Sequence, residues 1–233
     1  MPLTIRRAEE RGHADHGWLR SHHTFRFASY RDPEHIGFRS LRVINQDRVQ
    51  AGRGFSTHPH QDMEIFSYVL EGTLAHKDSI GNSRSLRPGD IQLMSAGTGI
   101  THSEFNPSEQ EHLHFLQIWI EPDTRGLPPS YTEWQPTDAA KTSKDVLVIS
   151  PDGRDGSATI HQDAMVRRLR LERGDRIQHE VLRGRGTWLQ MIEGEIEANE
   201  TSLHAGDGAC TDAEGTLLVT AKTATEALLF DLA

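Results

Sequence analysis

Two histidine-rich segments carry the residues of this sequence that are best suited to chemistry. His58 and His60 are separated by one proline, and His102 and Glu104 are separated by one serine. On an extended strand, side chains two positions apart project to the same side, so each pair can point at one location. If the two segments lie side by side, three imidazoles and one carboxylate can meet. Glu64 shares the parity of His58 and His60 and is a further candidate carboxylate.

Three imidazoles with a carboxylate suit a divalent first-row transition metal, and such a set resembles the facial triad of oxygen-activating iron enzymes. Iron is the first expectation, with manganese, cobalt, nickel, copper or zinc as alternatives. Cys210 is the only cysteine, so the chain can form neither an internal disulfide nor a thiolate metal site. A single His-x-His pair alone would indicate two surface histidines, and the second pair is what argues against that interpretation.

The composition narrows the classes of partner. The chain has 233 residues and a formal net charge of -9 at pH 7. Because binding to a phosphate backbone needs a surplus of lysine and arginine, a direct nucleic-acid ligand is not expected. No apolar run approaches the roughly 18 residues that cross a bilayer, and the charged start does not resemble a signal peptide. We therefore expect a cytoplasmic protein without a membrane partner, and a protein partner stays open.

The pattern of apolar runs predicts a mainly β protein, because short β-rich runs recur between glycine, proline, asparagine and aspartate residues. The clearest strands are predicted at residues 41–44, 65–70, 91–94, 113–120, 146–149, 188–192, 216–219 and 227–230.

An internal repeat predicts two related barrels. A strand, a Glu-Gly turn, a second strand and a Gly-Asp turn occur within residues 68–90 and again within residues 190–207. Two copies of one β unit indicate two domains of one kind. The segment 121–130 between them is rich in residues that break regular structure. We place the first domain at 1–130, a linker at 131–145 and the second domain at 146–233.

The sequence resembles the pirin family of the cupin superfamily. The residues around the histidines that carry the resemblance are Gly52, His58, His60, Glu64, Gly72, Gly99, His102 and Asn106. Similarity to the bacterial pirin-like quercetinases runs nearly end to end, through residues 11–13, 23–25, 42–45, 57–60, 94–100 and 228–232. The resemblance implies an all-β bicupin, with two tandem double-stranded β-helix barrels and one metal ion per chain in the first barrel.

The resemblance also implies a ligand set, which consists of His58, His60, His102 and Glu104. Many other cupins use a glutamate at the position of Glu64, whereas the pirin pattern moves the carboxylate to Glu104. Glu64 is then expected to orient a ligand imidazole through a hydrogen bond.

The second barrel is expected to lack a metal site. The candidate ligands lie at fixed distances along the sequence from the turn glycines of the first repeat. The same distances from the turn glycines of the second repeat lead to Glu180, Leu182, Val219 and Ala221. No His-x-His pair occurs in the second half of the chain.

The activity implied by the resemblance is a metal-dependent dioxygenase that cleaves a flavonol such as quercetin with O2 and releases carbon monoxide. Glu104 is the candidate base for the 3-hydroxyl proton of the substrate. A flat aromatic substrate needs an apolar slot, for which we expect residues near the candidate metal strands, namely Phe66, Tyr68, Met94, Phe105 and Phe115.

An alternative of a different class is a metal-containing pirin-type regulatory protein, similar to a transcription cofactor, that does not turn over flavonols. One scaffold can carry unrelated functions, so the fold does not separate the two hypotheses. Among the remaining histidines, His76 and His23 are expected to lie on the surface or between strands, with His23 near the mouth of the pocket as an alternative. His114 is expected to be a core imidazole, and His161 is expected to be structural.

Overall fold

The computed structural model describes all residues from Met1 to Ala233. The first strands are β1 (Thr4–Arg6), β2 (Gly12–Asp15), β3 (Leu19–His23), β4 (Leu41–Val49), β5 (Gly54–His60), β6 (Glu64–Glu71), β7 (Leu74–Asp78), β8 (Ser83–Leu86), β9 (Ile91–Ser95), β10 (Ile100–Phe105), β11 (Leu113–Ile120) and β12 (Ser130–Trp134). The later strands are β13 (Asp145–Ser150), β14 (Ala158–Thr159), β15 (Ala164–Leu171), β16 (Arg176–Val181), β17 (Gly186–Glu193), β18 (Glu195–Ala198), β19 (Thr201–His204), β20 (Gly208–Thr211), β21 (Gly215–Ala221) and β22 (Thr225–Leu232). Every strand predicted from the apolar runs lies within one of these.

Helical structure is confined to short segments. They are the α-helix α1 (Asp138–Thr142) and the 3-10 helices Ala8–Glu10 and Arg154–Gly156. None of them has the length or the apolar character that a membrane-spanning helix requires. The prediction of an all-β fold with two related domains is confirmed.

The chain forms two compact units whose boundaries differ from the simple division of the sequence. The first unit comprises Gly12–Pro136 and Ala158–Gln162, and the second comprises Met1–Arg11, Thr137–Ser157 and Asp163–Ala233. The segment expected to be a linker, 131–145, is largely structured, because it contains most of β12 and the helix α1. The short pairing segments at the amino terminus and at 158–162 have too few residues to show a periodic pattern in the sequence.

The first unit encloses its apolar core between two antiparallel sheets. The larger sheet has the order β12-β9-β6-β11-β4-β3-β2, and the smaller has the order β5-β10-β7-β8. Val69 and Phe115 of the larger sheet pack in one cluster with Leu74 and Leu86 of the smaller. All four side chains are almost fully buried. The two sheets therefore fix β5 and β10, which carry the candidate ligands, beside each other and over the larger sheet.

Two turn glycines explain why the repeat is visible in the sequence. Gly72 joins β6 to β7 with φ of 78°, and Gly194 joins β17 to β18 with φ of 81°. Residues with a side chain rarely adopt such a φ value. A Cβ atom at Gly72 would also meet the carbonyl oxygen of His112 at 2.6 Å, and one at Gly194 would clash with that of Ala224. The same turn is thus constrained in the same way in both units.

The second unit repeats this architecture. Strands β1-β20-β17-β22-β15-β13 form one sheet, and β16-β21-β18-β19 form the other. A buried carboxylate attaches the amino-terminal segment to this unit, since Asp207 Oδ1 accepts a hydrogen bond from the Ala8 amide at 2.8 Å. Asp207 Oδ2 lies 2.8 Å from Arg7 Nη1 and also accepts from the His204 amide at 3.0 Å.

Removing the carboxylate of Asp207 is expected to destabilise the second unit. Asp207→Ala leaves the Ala8 and His204 amides without their acceptor, which should lower the free energy of unfolding by about 1–3 kcal/mol. Urea unfolding followed by circular dichroism measures the change. Glu9→Ala is the control, because Glu9 is exposed on the same amino-terminal segment. Equal stability of the two variants would contradict the anchoring role of Asp207.

Candidate metal and substrate site

The structure brings the three predicted imidazoles together. Strand β5 pairs with β10 so that His58 lies directly opposite His102. The Nε2 atoms of these two rings are 3.1 Å apart. The His60 ring centre lies 4.8 Å from that of His58 and 5.0 Å from that of His102. One potential ligand nitrogen from each of the three rings lies within 4.8 Å of the other two.

The protonation states of these rings suit metal binding. His58 Nδ1 lies 2.8 Å from the carbonyl oxygen of Ser56, which can only accept, so the proton sits on Nδ1 and the Nε2 lone pair is free. Burial lowers the pKa of His60 to about 4, and the neighbouring rings of His102 and His58 add to this effect. Burial and His58 likewise lower the pKa of His102 to about 3. At neutral pH the imidazoles of His60 and His102 are therefore neutral.

The carboxylate of Glu104 lies at the inner end of the same strand and is fully buried. The pairing of β10 with β5 shifts between His102 and Glu104, where β5 carries an extra residue, so that Glu104 lies opposite Phe55. Such a bulge redirects side chains, and bulges are frequent beside functional sites. His102 and Glu104 are both buried whereas the intervening Ser103 is half-buried, as the predicted parity requires.

Three neutral donors hold the Glu104 carboxylate in place. Ser67 Oγ donates to Oε1 at 2.7 Å, and Gln92 Nε2 donates to the same oxygen at 3.3 Å. Gln117 Nε2 donates to Oε2 at 2.8 Å. The orientation of the Gln117 amide is fixed in turn, because its Oε1 accepts from the indole N–H of Trp119 at 3.2 Å.

These donors belong to a buried polar row that crosses the larger sheet. Gln92 pairs with Ser67, Ser67 with Gln117, Gln117 with Asn45 and Asn45 with His23, each on the next strand. The row is nearly inaccessible to solvent, and His23 Nδ1 lies 2.8 Å from Asn45 Oδ1. A buried polar row of this kind is costly unless its members are paired, and here it serves to fix Glu104.

Glu64 is placed differently from the sequence-based expectation. Its Oε2 accepts hydrogen bonds from Ser95 Oγ at 2.7 Å and from the His161 amide at 3.2 Å, and its Oε1 lies 3.4 Å from His161 Nδ1. Its hydrogen bonds therefore go to Ser95 and His161 and not to the rings of the imidazole cluster. The physical reason is that residues 158–162 return to the first unit and supply His161, which the sequence pattern did not indicate.

The arrangement fits a divalent cation. Two Nε2 atoms at 3.1 Å, one of them carrying a lone pair, need either a proton or a cation between them. Neutral imidazoles with a nearby carboxylate are the ligand types that first-row divalent metals take. Glu104 also groups with His102 and His76, whose potential ligand atoms lie within 4.8 Å of one another. His76 was expected on the surface or between strands, and the structure places it, buried, next to His102, with ring centres 5.4 Å apart.

A cavity of about 420 Å³ opens beside the imidazole cluster. His58 and His60 form part of its wall, and the apolar part of the wall consists of Trp18, Leu19, Phe27, Phe55 and Trp119. Trp119 packs edge-on against both His60 and Phe27, with ring centres 4.9 and 5.6 Å apart. Binding sites for small ligands typically occupy about 300–1,000 Å³ and are lined largely by such side chains.

The residues expected to form the aromatic slot lie elsewhere. Phe66 and Tyr68 flank Ser67 on β6 and therefore point away from the face that holds Glu104. Phe115 and Met94 are buried in apolar clusters of the first unit. Phe105 is 43% exposed, because its parity on β10 is opposite to that of Glu104. Proximity along the sequence was a poor guide here, since the apolar wall is built from β3 and the residue before it, from β5 and β11, and from the irregular segment 24–40.

The cavity has one polar wall, formed by Ser21, His23, Asn45, Asp47 and Gln117. Asp47 is buried, and its Oδ1 has no hydrogen-bond partner in the protein. Burial raises the pKa of Asp47 to about 7, and the charge of Glu104 adds to this effect, against a hydrogen bond from Ser21. The site thus combines a cluster of potential metal ligands, an apolar slot and a polar wall opposite.

Comparison with known proteins identifies relatives along the whole chain. The pattern described as Pirin matches residues 4–120, and the pattern described as Quercetinase C-terminal cupin domain matches residues 147–232. The chain is 48% identical over 230 residues to a protein of Escherichia coli K12 named quercetin 2,3-dioxygenase, covering 99% of this chain and 98% of that one. It is 39% identical to a pirin-like protein of Caulobacter vibrioides, covering 95% of this chain and 96% of the relative.

Solved structures agree with these relationships. The crystal structure of YhhW from Escherichia coli superposes with a TM-score of 0.96 at 47% identity, covering 100% of this chain and 98% of that one. A structure of the same bacterial pirin in complex with nickel(II) superposes with a TM-score of 0.95 at 46% identity, covering 99% of each chain. The match of both halves, together with identity along the full length, makes this chain a member of the pirin family.

Proposed function

We propose that this protein is a metal-dependent dioxygenase that cleaves a flavonol such as quercetin with O2 and releases carbon monoxide. The observation that carries the proposal is the imidazole cluster of His58, His60 and His102, which adjoins a cavity with aromatic walls. The name quercetin 2,3-dioxygenase of the Escherichia coli relative supports the choice of substrate. The nickel(II) complex of the related pirin supports a divalent metal.

The proposed ligands of one metal ion are His58, His60, His102 and Glu104. When bound, a divalent ion supplies Lewis acidity, which lowers the pKa of the substrate 3-hydroxyl. Iron is the first choice for oxygen chemistry with this ligand set, and nickel is the metal in the related crystal structure. The protein contributes neutral imidazoles, whose lone pairs are available at neutral pH because burial lowers the pKa of His60 and His102.

Glu104 is the proposed acceptor of the 3-hydroxyl proton. Its Oε1 already accepts two hydrogen bonds, from Ser67 and Gln92, whereas Oε2 accepts one, from Gln117. Oε2 therefore retains more lone-pair capacity than Oε1. The three donors keep the carboxylate oriented, so the O–H bond of the substrate breaks toward a base that is already in place.

The cavity can orient the flavonol by its two kinds of wall. The rings of Trp18, Phe27 and Trp119 can pack against the flat faces of an aromatic substrate and exclude water from them. The buried oxygen of Asp47 that lacks a partner lies in the polar wall, where it can accept a hydrogen bond from another hydroxyl of the substrate. A polyhydroxylated aromatic molecule can pack its ring faces against the apolar wall and donate a hydroxyl hydrogen bond to the polar wall.

Oxygen uptake with quercetin tests the proposal. The protein, loaded in turn with Fe²⁺, Ni²⁺, Co²⁺ and Mn²⁺, should consume O2 and release carbon monoxide with at least one metal. Exhaustive chelation should abolish turnover, and restoring the metal should recover it. The flavone that lacks only the 3-hydroxyl is the control substrate and should not react. No turnover of any flavonol by the metal-loaded protein would favour the regulatory alternative, and turnover after complete metal removal would exclude the proposed mechanism.

A further inference from the structure

A buried histidine and aspartate lie behind the imidazole cluster, on the strand next to β10. Strand β7 pairs with β10 so that Asp78 lies opposite His102 and His76 lies opposite Glu104. The side chains of His76 and Asp78 are inaccessible to solvent, and His76 Nε2 lies 3.2 Å from Asp78 Oδ2. The ring centres of His76 and His102 are 5.4 Å apart, with the rings tilted by 49°.

The tautomer of His76 follows from its contact with Asp78. Asp78 Oδ1 accepts hydrogen bonds from the Ile80 and Asn82 amides at 3.1 and 2.9 Å, and Oδ2 accepts one from Asn82 Nδ2 at 2.8 Å, so both oxygens of Asp78 act as acceptors. A carboxylate can only accept, and His76 Nε2 therefore carries the proton. When the ring carries this one proton, the other nitrogen, Nδ1, is an acceptor. It is buried and has no hydrogen-bond partner in the protein.

His102 presents the complementary atom. Its Nε2 lies 3.1 Å from His58 Nε2, which makes Nε2 the nitrogen that faces the proposed metal. A neutral imidazole that binds a metal through Nε2 carries its proton on Nδ1. The Nδ1 atom of His102 is also buried and without a partner. Histidine ligands almost always donate this second N–H to an acceptor, and His58 has one in the Ser56 carbonyl.

We propose that His76 positions His102 for metal binding by accepting a hydrogen bond from His102 Nδ1, directly or through one buried water, while Asp78 fixes the tautomer of His76. This inference rests on the proposed metal site. The resulting order, carboxylate to imidazole to ligand imidazole, gives each buried ring nitrogen a partner of the correct polarity. His76 is thus a positioning residue and not a ligand.

Metal affinity tests this role without reference to catalysis. His76→Phe keeps the ring size and removes the acceptor, and it should raise the Kd for Ni²⁺, measured by competition with a chromogenic chelator, by about 10–100-fold. His76→Asn places an amide oxygen near the position of Nδ1 and should recover most of the affinity. His114→Phe is the matched control, because His114 is buried in the same unit but forms a hydrogen bond with Gln46 instead. The Kd of this variant for Ni²⁺ should equal that of the wild type.

Several outcomes would overturn the inference. A Kd of His76→Phe within about twofold of wild type would do so, because the change expected for a lost partner of a ligand is tenfold or more. Equal weakening in His76→Asn and His76→Phe would exclude the acceptor role. If the visible absorption spectrum of Co²⁺-loaded His76→Phe shows one imidazole ligand fewer than that of the wild type, His76 is itself a ligand. Failure of the wild-type protein to bind Ni²⁺ or Co²⁺ would instead refute the proposed function itself.

Discussion

Replacing Glu104 by glutamine should lower kcat for quercetin by about 10²–10⁴-fold, the range typical of a lost general base. The amide keeps the size of the carboxylate and retains an oxygen that can face a metal, but it cannot take up a proton at neutral pH. Steady-state oxygen uptake gives kcat, and elemental analysis of the same samples gives the metal content. We expect a much larger fall in kcat than in bound metal.

Glu64→Gln is the matched control for this substitution. Glu64 is also a buried carboxylate of the first unit, but its hydrogen bonds go to Ser95 and His161. Its variant should retain kcat and the metal, with any loss confined to stability. Near-normal turnover in Glu104→Gln combined with an inactive Glu64→Gln would mean that the chain follows the ligand pattern of other cupins.

Removing one imidazole should empty the protein of metal. Wild-type protein is expected to hold one ion per chain, and His60→Ala should weaken binding by far more than the about 10–100-fold that follows the loss of a partner behind a ligand. The methyl group of alanine supplies no lone pair, so the number of imidazole ligands falls from three to two, those of His58 and His102. Elemental analysis after gel filtration in metal-free buffer measures the occupancy.

The control for this prediction is His112→Ala, since His112 is an exposed histidine outside the cluster. It should bind metal as the wild type does. Full occupancy of His60→Ala would contradict the proposed ligand set. Two ions per wild-type chain would contradict the expectation that the second unit carries no metal site.

Two kinds of feature could be predicted from the sequence: side chains that alternate along a strand, and turns whose backbone conformation requires glycine. The His58/His60 and His102/Glu104 pairs are visible because a strand alternates its faces, and the structure places His58 directly opposite His102. The repeat is visible because Gly72 and its counterpart in the second unit occupy backbone conformations that other residues rarely adopt.

The rest of the site depends on relations between distant segments. The bulge that leaves Glu104 opposite Phe55 depends on how β5 pairs with β10, and no single residue in the sequence indicates it. The hydrogen bonds of Glu104 to Ser67, Gln92 and Gln117 follow from strand order. A lone buried histidine such as His76 has no spacing signal, because its importance arises only from the neighbouring strand.

The pairing of β1 with β20 has a consequence for how the protein is made. Ile5 pairs with Ala209, so β1 pairs with a strand that is synthesised roughly 200 residues later. At a synthesis rate of about 5–20 residues per second, the amino-terminal segment waits on the order of 10–40 s for its partner. During that interval Leu3 and Ile5, which pack against the core of the second unit, stay unpaired. The first unit ends at residue 162, so we expect its strands to be able to pair before β20 becomes available to β1.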